Sequence, residues 1–94
     1  MKIRVKLKIN GKVQGVSYRA EAQEKAQKLG LTGYAQNNRD GSVAVVLFGE
    51  ELAVRQMITW CKGGPKAARV ENVEINYEKE PSDTEVAPQS FEIY

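Results

Sequence analysis

The residues best suited to chemistry lie in a short glycine-containing loop, Gly11 to Arg19, which reads GKVQGVSYR. Apolar residues alternate before this loop, which predicts a strand. After it they recur every three or four positions, which predicts a helix. The loop therefore joins a strand to the start of a helix. Free amides and the positive end of the helix dipole favour an anion there, and the planar guanidinium of Arg19 can hold two anionic oxygens. Spacing alone, however, favours an ordinary strand-to-helix turn with a surface arginine.

Asn37 is the second candidate, because it ends the second predicted strand immediately before a hairpin loop. Its side-chain amide can donate a hydrogen bond to a water molecule or accept one from it. Asparagine at such a position is usually a turn former whose side chain bonds to its own backbone. Taken alone, Asn37 is better explained by that turn role.

The composition excludes several kinds of catalytic site. The chain contains no histidine, one cysteine and only two aspartates, Asp40 and Asp83. Ser-His-Asp and Cys-His catalysis, phosphohistidine chemistry and histidine or cysteine-rich metal sites are therefore ruled out. We expect a site made of arginine, lysine, glutamate, amides, hydroxyls and main-chain groups, with too few ligands for a catalytic metal ion.

Charge is distributed unevenly along the chain, whose formal net charge is +2. Residues 1–28 carry eight basic and two acidic side chains, whereas residues 70–94 carry one basic and seven acidic ones. A basic half can indicate an anionic partner. The interpretation we favour is that the two segments form neighbouring surface strands whose opposite charges pair.

Hydrophobic periodicity and turn residues divide the chain into short elements. Gly30 supplies a helix C-terminal cap, and Asp40-Gly41 is a strong hairpin signal between two strands. The strand that contains Val43 to Phe48 is apolar on both faces, which predicts a central place in the sheet. The predicted elements are strands at 3–9, 31–37, 42–48 and 70–77 (the last imperfectly phased), helices at 17–29 and 50–62, a polar loop at 81–88 and a short closing strand at 91–94.

This β-α-β-β-α-β order, with a possible fifth strand, predicts an α+β fold. Two amphipathic helices on one face of an antiparallel sheet form a ferredoxin-like two-layer sandwich. With 94 residues, the chain is expected to form one domain, residues 1–94. The fold hosts many unrelated functions, so it does not by itself assign one.

Two motifs within this framework resemble the signatures of the acylphosphatase family. That family carries Gly-x-Val-Gln-Gly-Val-x-Phe-Arg, which is matched from Gly11 to Arg19 with Tyr18 in place of the usual Phe. The resemblance extends to Gly-Gly-Pro at 63–65 and to Phe91-x-Ile93, so it covers nearly the whole chain. The second family motif, with every spacing kept, is formed by Gly33, Tyr34, Asn37, Gly41, Val43 and Gly49.

The resemblance implies hydrolysis of small-molecule acyl phosphates to a carboxylate and inorganic phosphate, without metal or cofactor. It assigns phosphate binding to Arg19 and positioning of the attacking water to Asn37. Main-chain amides of the loop would surround the phosphate. The expected phosphate-binding residues are Gln14, Gly15, Val16, Ser17, Tyr18 and Arg19.

Elementary chemistry agrees with so sparse a site. The leaving group of an acyl phosphate is a carboxylate with a pKa of about 4, which needs no general acid. Phosphoryl transfer depends mainly on positioning and charge neutralisation. Asn37 cannot act as a base, so we expect a phosphate oxygen of the substrate to take the proton of the water. Inorganic phosphate is expected to be both product and inhibitor.

The main alternative is a non-catalytic ferredoxin-like module that binds an anion or RNA. Lys2, Arg4, Lys6 and Lys8 form a basic strand face. RNA-binding sheets of this kind stack bases on aromatic residues of their central strands, and the third strand offers only Phe48, at its end. A scaffold that keeps the motifs without activity is a further alternative.

The remaining expectations concern location and assembly. No apolar run approaches the roughly 20 residues of a membrane helix, and no secretory signal is visible. A single cysteine fits a reducing cytoplasm. We therefore expect a cytoplasmic monomer with neither a membrane nor a nucleic acid as partner. Trp60 and Cys61 are expected to pack in or near the core, and Cys61 is not expected to act as a nucleophile.

Overall fold

The structure, a computed structural model, describes residues 1–78 and 89–94 of the chain. Its elements follow the predicted order, and the fifth strand is formed. The loop predicted at 81–88 lies outside the described residues. The elements are β1 (Lys2–Lys12), α1 (Tyr18–Lys28), β2 (Thr32–Asn37), β3 (Val43–Glu50), α2 (Glu51–Gly63), β4 (Arg69–Glu78) and β5 (Phe91–Ile93).

The five strands form one sheet in the order β4-β1-β3-β2-β5. As predicted, β3 is central, and it pairs with β1 and β2 in antiparallel orientation. Strand β4 is antiparallel to β1, whereas β5 runs parallel to β2 and makes the sheet mixed. Besides the main-chain pairing with β2, the buried ring of Phe91 and a 2.8 Å hydrogen bond from Gln23 Nε2 to the Phe91 carbonyl hold β5 at this edge.

Both helices pack on the same face of the sheet, over a single cluster of buried side chains. Strand β1 contributes its alternate residues Val5, Leu7 and Ile9, each fully buried. Their period of two is the burial pattern expected of a strand with one covered face. Cys61 is buried and Trp60 packs at the edge of the cluster, so both packing predictions are confirmed.

The apolar residues of β4 do not alternate regularly, and a β-bulge in this strand is the reason. Asn10 pairs with Asn72 but Gly11 pairs with Val70, so the register skips one residue of β4. This extra residue allows Val70 and Val73, three positions apart, both to pack against the core. Gly11, with φ 128°, is required here, because a Cβ atom would lie 2.1 Å from the Arg69 carbonyl oxygen.

The charge asymmetry is explained by the pairing of β1 with β4. Arg4 Nε lies 3.0 Å from Glu78 Oε2, and Asn10 donates to Glu74 at 3.0 Å. The two segments do contain neighbouring strands, as the favoured interpretation expects, and Arg4 with Glu78 is an ion pair between them. These carboxylates also offset the basic face on which RNA binding would depend. Within the described ranges, neither helix has the length and apolar character needed to cross a membrane.

Candidate active site

Two residues with left-handed backbone conformation shape the loop between β1 and α1. Gly15 has φ 75° and Ser17 has φ 63°. Nothing lies within 4 Å of a Cβ atom placed on Gly15, so its backbone conformation, and not lack of space, favours glycine. Ser17 is the only non-glycine residue with positive φ in the described ranges. For a non-glycine residue such as Ser17 this conformation costs about 1 kcal/mol or more, and strained residues of this kind concentrate at functional sites.

The conformation of the loop leaves its amides available to a ligand. Within the described residues, the main-chain N–H groups of residues 15–18 donate to no protein acceptor. The first main-chain bond at this end of α1 runs from the Glu21 N–H to the Ser17 carbonyl, at 3.0 Å. Free amides at a helix N-terminus are an arrangement that favours negative charge.

A pocket of about 170 Å³ adjoins this loop and brings the two candidate residues together. Arg19 and Asn37 both line it, although they stand on different elements, and so do Gly15, Ser17 and Tyr18. Ile93 of β5 forms part of its wall. Two residues of the predicted phosphate loop do not line the pocket: Gln14, and Val16, whose side chain packs against the core.

Arg19 is half-buried in the first turn of α1 and is held from one side. Its Nη1 donates a 2.5 Å hydrogen bond to the main-chain oxygen of Tyr94. Tyr94 is itself fixed, because its N–H donates to the Ala35 carbonyl at 2.9 Å. No acidic side chain in the described part of the chain forms an ion pair with Arg19. Within the described residues, the guanidinium nitrogens other than Nη1 therefore remain available to an anion.

Asn37 is the last residue of β2, where it pairs with Val43. Its Oδ1 is buried and has no hydrogen-bond partner among the described residues. A buried acceptor without a partner costs about 1–3 kcal/mol, which makes its presence in a pocket informative. The side-chain bonds of the turn are made by the following residues, Asn38 and Asp40. The turn-forming role favoured for Asn37 from its residue type alone is thus not what the structure shows.

Gln14 joins the loop to the β2–β3 turn. Its Nε2 donates to the carbonyl oxygens of Asn38 and Ser42, at 2.7 Å and 3.0 Å. The side chain therefore fastens two segments that flank the pocket. The sequence did not reveal this contact, because nothing in a strand-to-helix loop specifies a carbonyl acceptor 24 residues away.

Tyr18 anchors the loop on its other side. Its ring is buried against Trp60, with 5.4 Å between ring centroids, and its hydroxyl donates to the Cys61 carbonyl at 2.7 Å. That carbonyl lies in the last turn of α2, where main-chain oxygens lack helical partners. Burial raises the pKa of Tyr18 well above its usual range, so the hydroxyl remains a donor. The tyrosine thus adds a helix-capping bond that a phenylalanine lacks.

The fold and the candidate site together define a two-layer α+β protein with a pocket, lined by Arg19 and Asn37, where β1 leads into α1. The family model for acylphosphatase matches residues 5–93. The chain therefore belongs to the acylphosphatase family, as its two motifs indicated.

Individual relatives support the same assignment. An acylphosphatase of Halorhodospira halophila (strain DSM 244 / SL1) is 48% identical over 85 residues, which cover 90% of this chain and 87% of the relative. An acylphosphatase of Roseiflexus sp. (strain RS-1) is 46% identical over 71 residues, 76% of each chain. The crystal structure of acylphosphatase from Bacillus subtilis superposes with a TM-score of 0.89 at 25% identity, covering 98% of both chains. The predicted ferredoxin-like fold and enzyme class are confirmed.

Proposed function

We propose that this enzyme hydrolyses acyl phosphates to a carboxylate and inorganic phosphate by in-line attack of water, with no metal ion or cofactor. One observation carries the proposal: Asn37, whose buried Oδ1 has no hydrogen-bond partner among the described residues, lines the same pocket as Arg19 and the free-amide loop. Acceptor, cation and amide donors match the three needs of the reaction, which are an oriented water, charge neutralisation and a bound phosphoryl group.

The phosphoryl group is held by the amides of the loop and by Arg19. The N–H groups of Gly15, Val16, Ser17 and Tyr18 donate to its oxygens, as do the nitrogens of Arg19 that Tyr94 does not engage. Gln14 contributes through the loop backbone, and its side chain keeps the loop against the β2–β3 turn. These donors are fixed before the substrate arrives, so they stabilise the transition-state charge without reorganising.

Asn37 orients the nucleophile. One O–H of the water donates to Asn37 Oδ1, which directs an oxygen lone pair at phosphorus. As the water oxygen bonds to phosphorus, the bond from phosphorus to the acyl oxygen breaks and its electron pair leaves with the carboxylate. The proton of the water passes to a phosphoryl oxygen. No general acid is needed, because the carboxylate is a weak base.

Phosphate release from benzoyl phosphate, with and without exhaustive chelation, tests this mechanism. We expect turnover to survive chelation and to fall by at least about 100-fold in Asn37→Ala, a loss typical of a removed transition-state contact. Inhibition by phosphate should be nearly unchanged in this variant, because the water is not part of the phosphate complex.

Asn76→Ala is the matched control, since Asn76 is an exposed strand residue that does not line the pocket. Loss of turnover on chelation, restored by a divalent ion, would contradict the metal-free mechanism. An equal loss of kcat and of phosphate affinity in Asn37→Ala would place Asn37 in the anion site instead. Binding of RNA that weakens steeply with salt, without hydrolysis of benzoyl phosphate, would favour the binding module.

We further propose that the enzyme is a cytoplasmic monomer. Its one cysteine is a buried free thiol, as a reducing compartment allows. Large exposed apolar residues such as Leu52 and Tyr77 stand on separate elements, α2 and β4. A size-exclusion elution volume that matches one 10.5 kDa chain would support this assignment.

A further inference from the structure

One carboxylate holds the turn that follows Asn37. Asp40 Oδ1 accepts hydrogen bonds from the main-chain N–H and the hydroxyl of Ser42, at 2.9 Å and 2.5 Å. Asp40 Oδ2 lies 3.0 Å from Lys8 Nζ on β1. The turn is therefore fastened both to itself and to the neighbouring part of the sheet.

The hydroxyl at the centre of this turn is buried and fully paired. Ser42 is 3% exposed, and its Oγ accepts a 2.9 Å bond from Asn38 Nδ2 while donating to Asp40. The main-chain bond from the Asn38 N–H to the Ser42 carbonyl, at 2.8 Å, closes the turn one residue beyond Asn37. Without Asp40, the donors of Ser42 lose their acceptor in a place that water reaches poorly.

Asp40 cannot touch the substrate in the pocket proposed here. With Lys8 it lines a separate depression of about 520 Å³ on the helix-free face of the sheet, where neither Arg19 nor Asn37 contributes. The bonds from Ser42, with the Lys8 ammonium, hold the pKa of Asp40 well below its usual range. The carboxylate thus stays charged across the neutral and mildly acidic range.

We propose that Asp40 is a positioning residue, which holds the 38–42 turn so that Asn37 keeps its amide oxygen in the pocket. The proposal rests on the function proposed above for Asn37. Gln14 links the phosphate loop to this same turn through the Asn38 and Ser42 carbonyls, but the loop has a second anchor outside the turn, the bond from Tyr18 to Cys61 of α2. Asp40 therefore acts on the orientation of the water and leaves phosphate binding to the loop.

The test compares kcat with phosphate inhibition in a short series of variants. Asp40→Ala should lower kcat about tenfold, equivalent to 1.4 kcal/mol in the barrier, with the inhibition constant of inorganic phosphate within about twofold of wild type. Asp40→Asn keeps an oxygen acceptor for Ser42 and loses the exposed ion pair to Lys8, which contributes little. The kcat of Asp40→Asn should therefore stay within about threefold of wild type. Glu51→Gln, which removes the exposed ion pair to Arg55 on α2, is the matched control and should change neither constant.

A double-mutant cycle shows whether Asp40 acts through Asn37. Adding Asp40→Ala to Asn37→Ala should cause no further loss of kcat, because the side chain to be positioned is already gone. An additive loss would overturn the inference, as would wild-type kcat in Asp40→Ala or an equal weakening of phosphate inhibition. Full turnover in Asn37→Ala alone would instead overturn the function proposed for Asn37. If Asp40→Ala does not fold, Ser42→Ala takes its place, since it removes the hydroxyl link and keeps the main-chain bond to Asp40.

Discussion

At the scale of single residues, the proposed mechanism gives Arg19 two tasks that one ammonium group cannot share. Its Nη1 already donates to the Tyr94 main-chain oxygen, and the remaining guanidinium donors are those proposed for phosphate. We expect Arg19→Lys to fail nearly as badly as Arg19→Ala, with kcat about 100- to 1000-fold below wild type. Both variants should also bind inorganic phosphate more weakly, because the arginine contacts the ground state as well.

The measurements are kcat and the phosphate inhibition constant for wild type, the two Arg19 variants and Arg55→Lys. Arg55 is a suitable control because it pairs only with Glu51 on the exposed side of α2 among the described residues. Turnover close to wild type in Arg19→Lys would show that charge alone suffices. The model of two phosphoryl oxygens held by one planar group would then be wrong.

Cys61 provides a prediction about pH. Burial raises the pKa of Cys61 to about 12, whereas an unfolded cysteine titrates near 8.5. Because the thiolate is the nucleophile, we expect the folded protein at pH 8 to resist a thiol reagent that modifies the denatured chain rapidly. Stability linked to this group is fully present below about pH 8.5 and is lost as the pH rises toward the folded pKa.

The stability effect is isolated by comparing wild type with Cys61→Ala. Urea unfolding at several pH values between about 8 and 11 should show a steeper loss of stability for wild type than for the variant. Equal slopes for the two proteins, or rapid modification of the native thiol, would show that Cys61 is exposed to solvent in the folded protein.

The two site residues differ in how far the sequence could define them. For Arg19, a glycine-containing loop and a helix start, both local patterns, allowed an anion site but favoured an ordinary turn with a surface arginine until the family resemblance was added. The role proposed for Asn37 could not be separated from turn formation, because it depends on a pocket built from β2, β5 and the β1–α1 loop. The family resemblance supplied that assignment, and the unpartnered oxygen of Asn37 now gives it a physical reason.

At the scale of elements, the end of α2 depends on a side chain from α1. Tyr18 donates its hydroxyl to the Cys61 carbonyl and packs its ring against Trp60. Tyr18→Phe leaves that buried carbonyl without a partner, so we expect the free energy of unfolding to fall by about 1–3 kcal/mol. Turnover should change little, because the ring contact that supports the loop is retained.

Urea unfolding and benzoyl phosphate turnover of the same samples test this separation. Tyr77→Phe is the control, since Tyr77 is 56% exposed on β4. If Tyr18→Phe has the same free energy of unfolding as wild type, a water molecule replaces the hydroxyl as donor to the Cys61 carbonyl. A stable variant with impaired turnover would show that the hydroxyl acts on the site and not on α2.

The elements that the sequence described incompletely are those whose geometry is set across strands. Three apolar residues at 91–94 predicted a strand, but its direction depends on where Phe91 and the Gln23 bond place it beside β2. The uneven spacing of Val70 and Val73 was visible, yet the bulge that explains it requires the register of β4 against β1. Local periodicity defines an element, whereas partner strands define its orientation and irregularities.

At the scale of the whole molecule, the pH dependence of turnover should be nearly flat from about pH 5 to 8. The chain has no histidine, arginine side chains do not titrate in proteins, and burial raises the pKa of Tyr18 far above this range. Inorganic phosphate should compete with benzoyl phosphate at each pH. A bell-shaped profile with both limbs inside the window would reveal an acid–base pair outside the proposed mechanism.

The way the core is assembled leads to a prediction about unfolding. Residues from β1, both helices and β5 share one buried cluster, so no group of elements has a separate core among the described residues. Small domains built in this way unfold in one cooperative step. Trp60 of α2 packs on Tyr18 of α1, so its fluorescence reports the contact between the helices. Far-ultraviolet circular dichroism reports the helix and sheet content. We expect both signals to change at the same urea concentration with equal slopes. Separate transitions would contradict a single domain over residues 1–94 and would show that one helix detaches while the sheet persists.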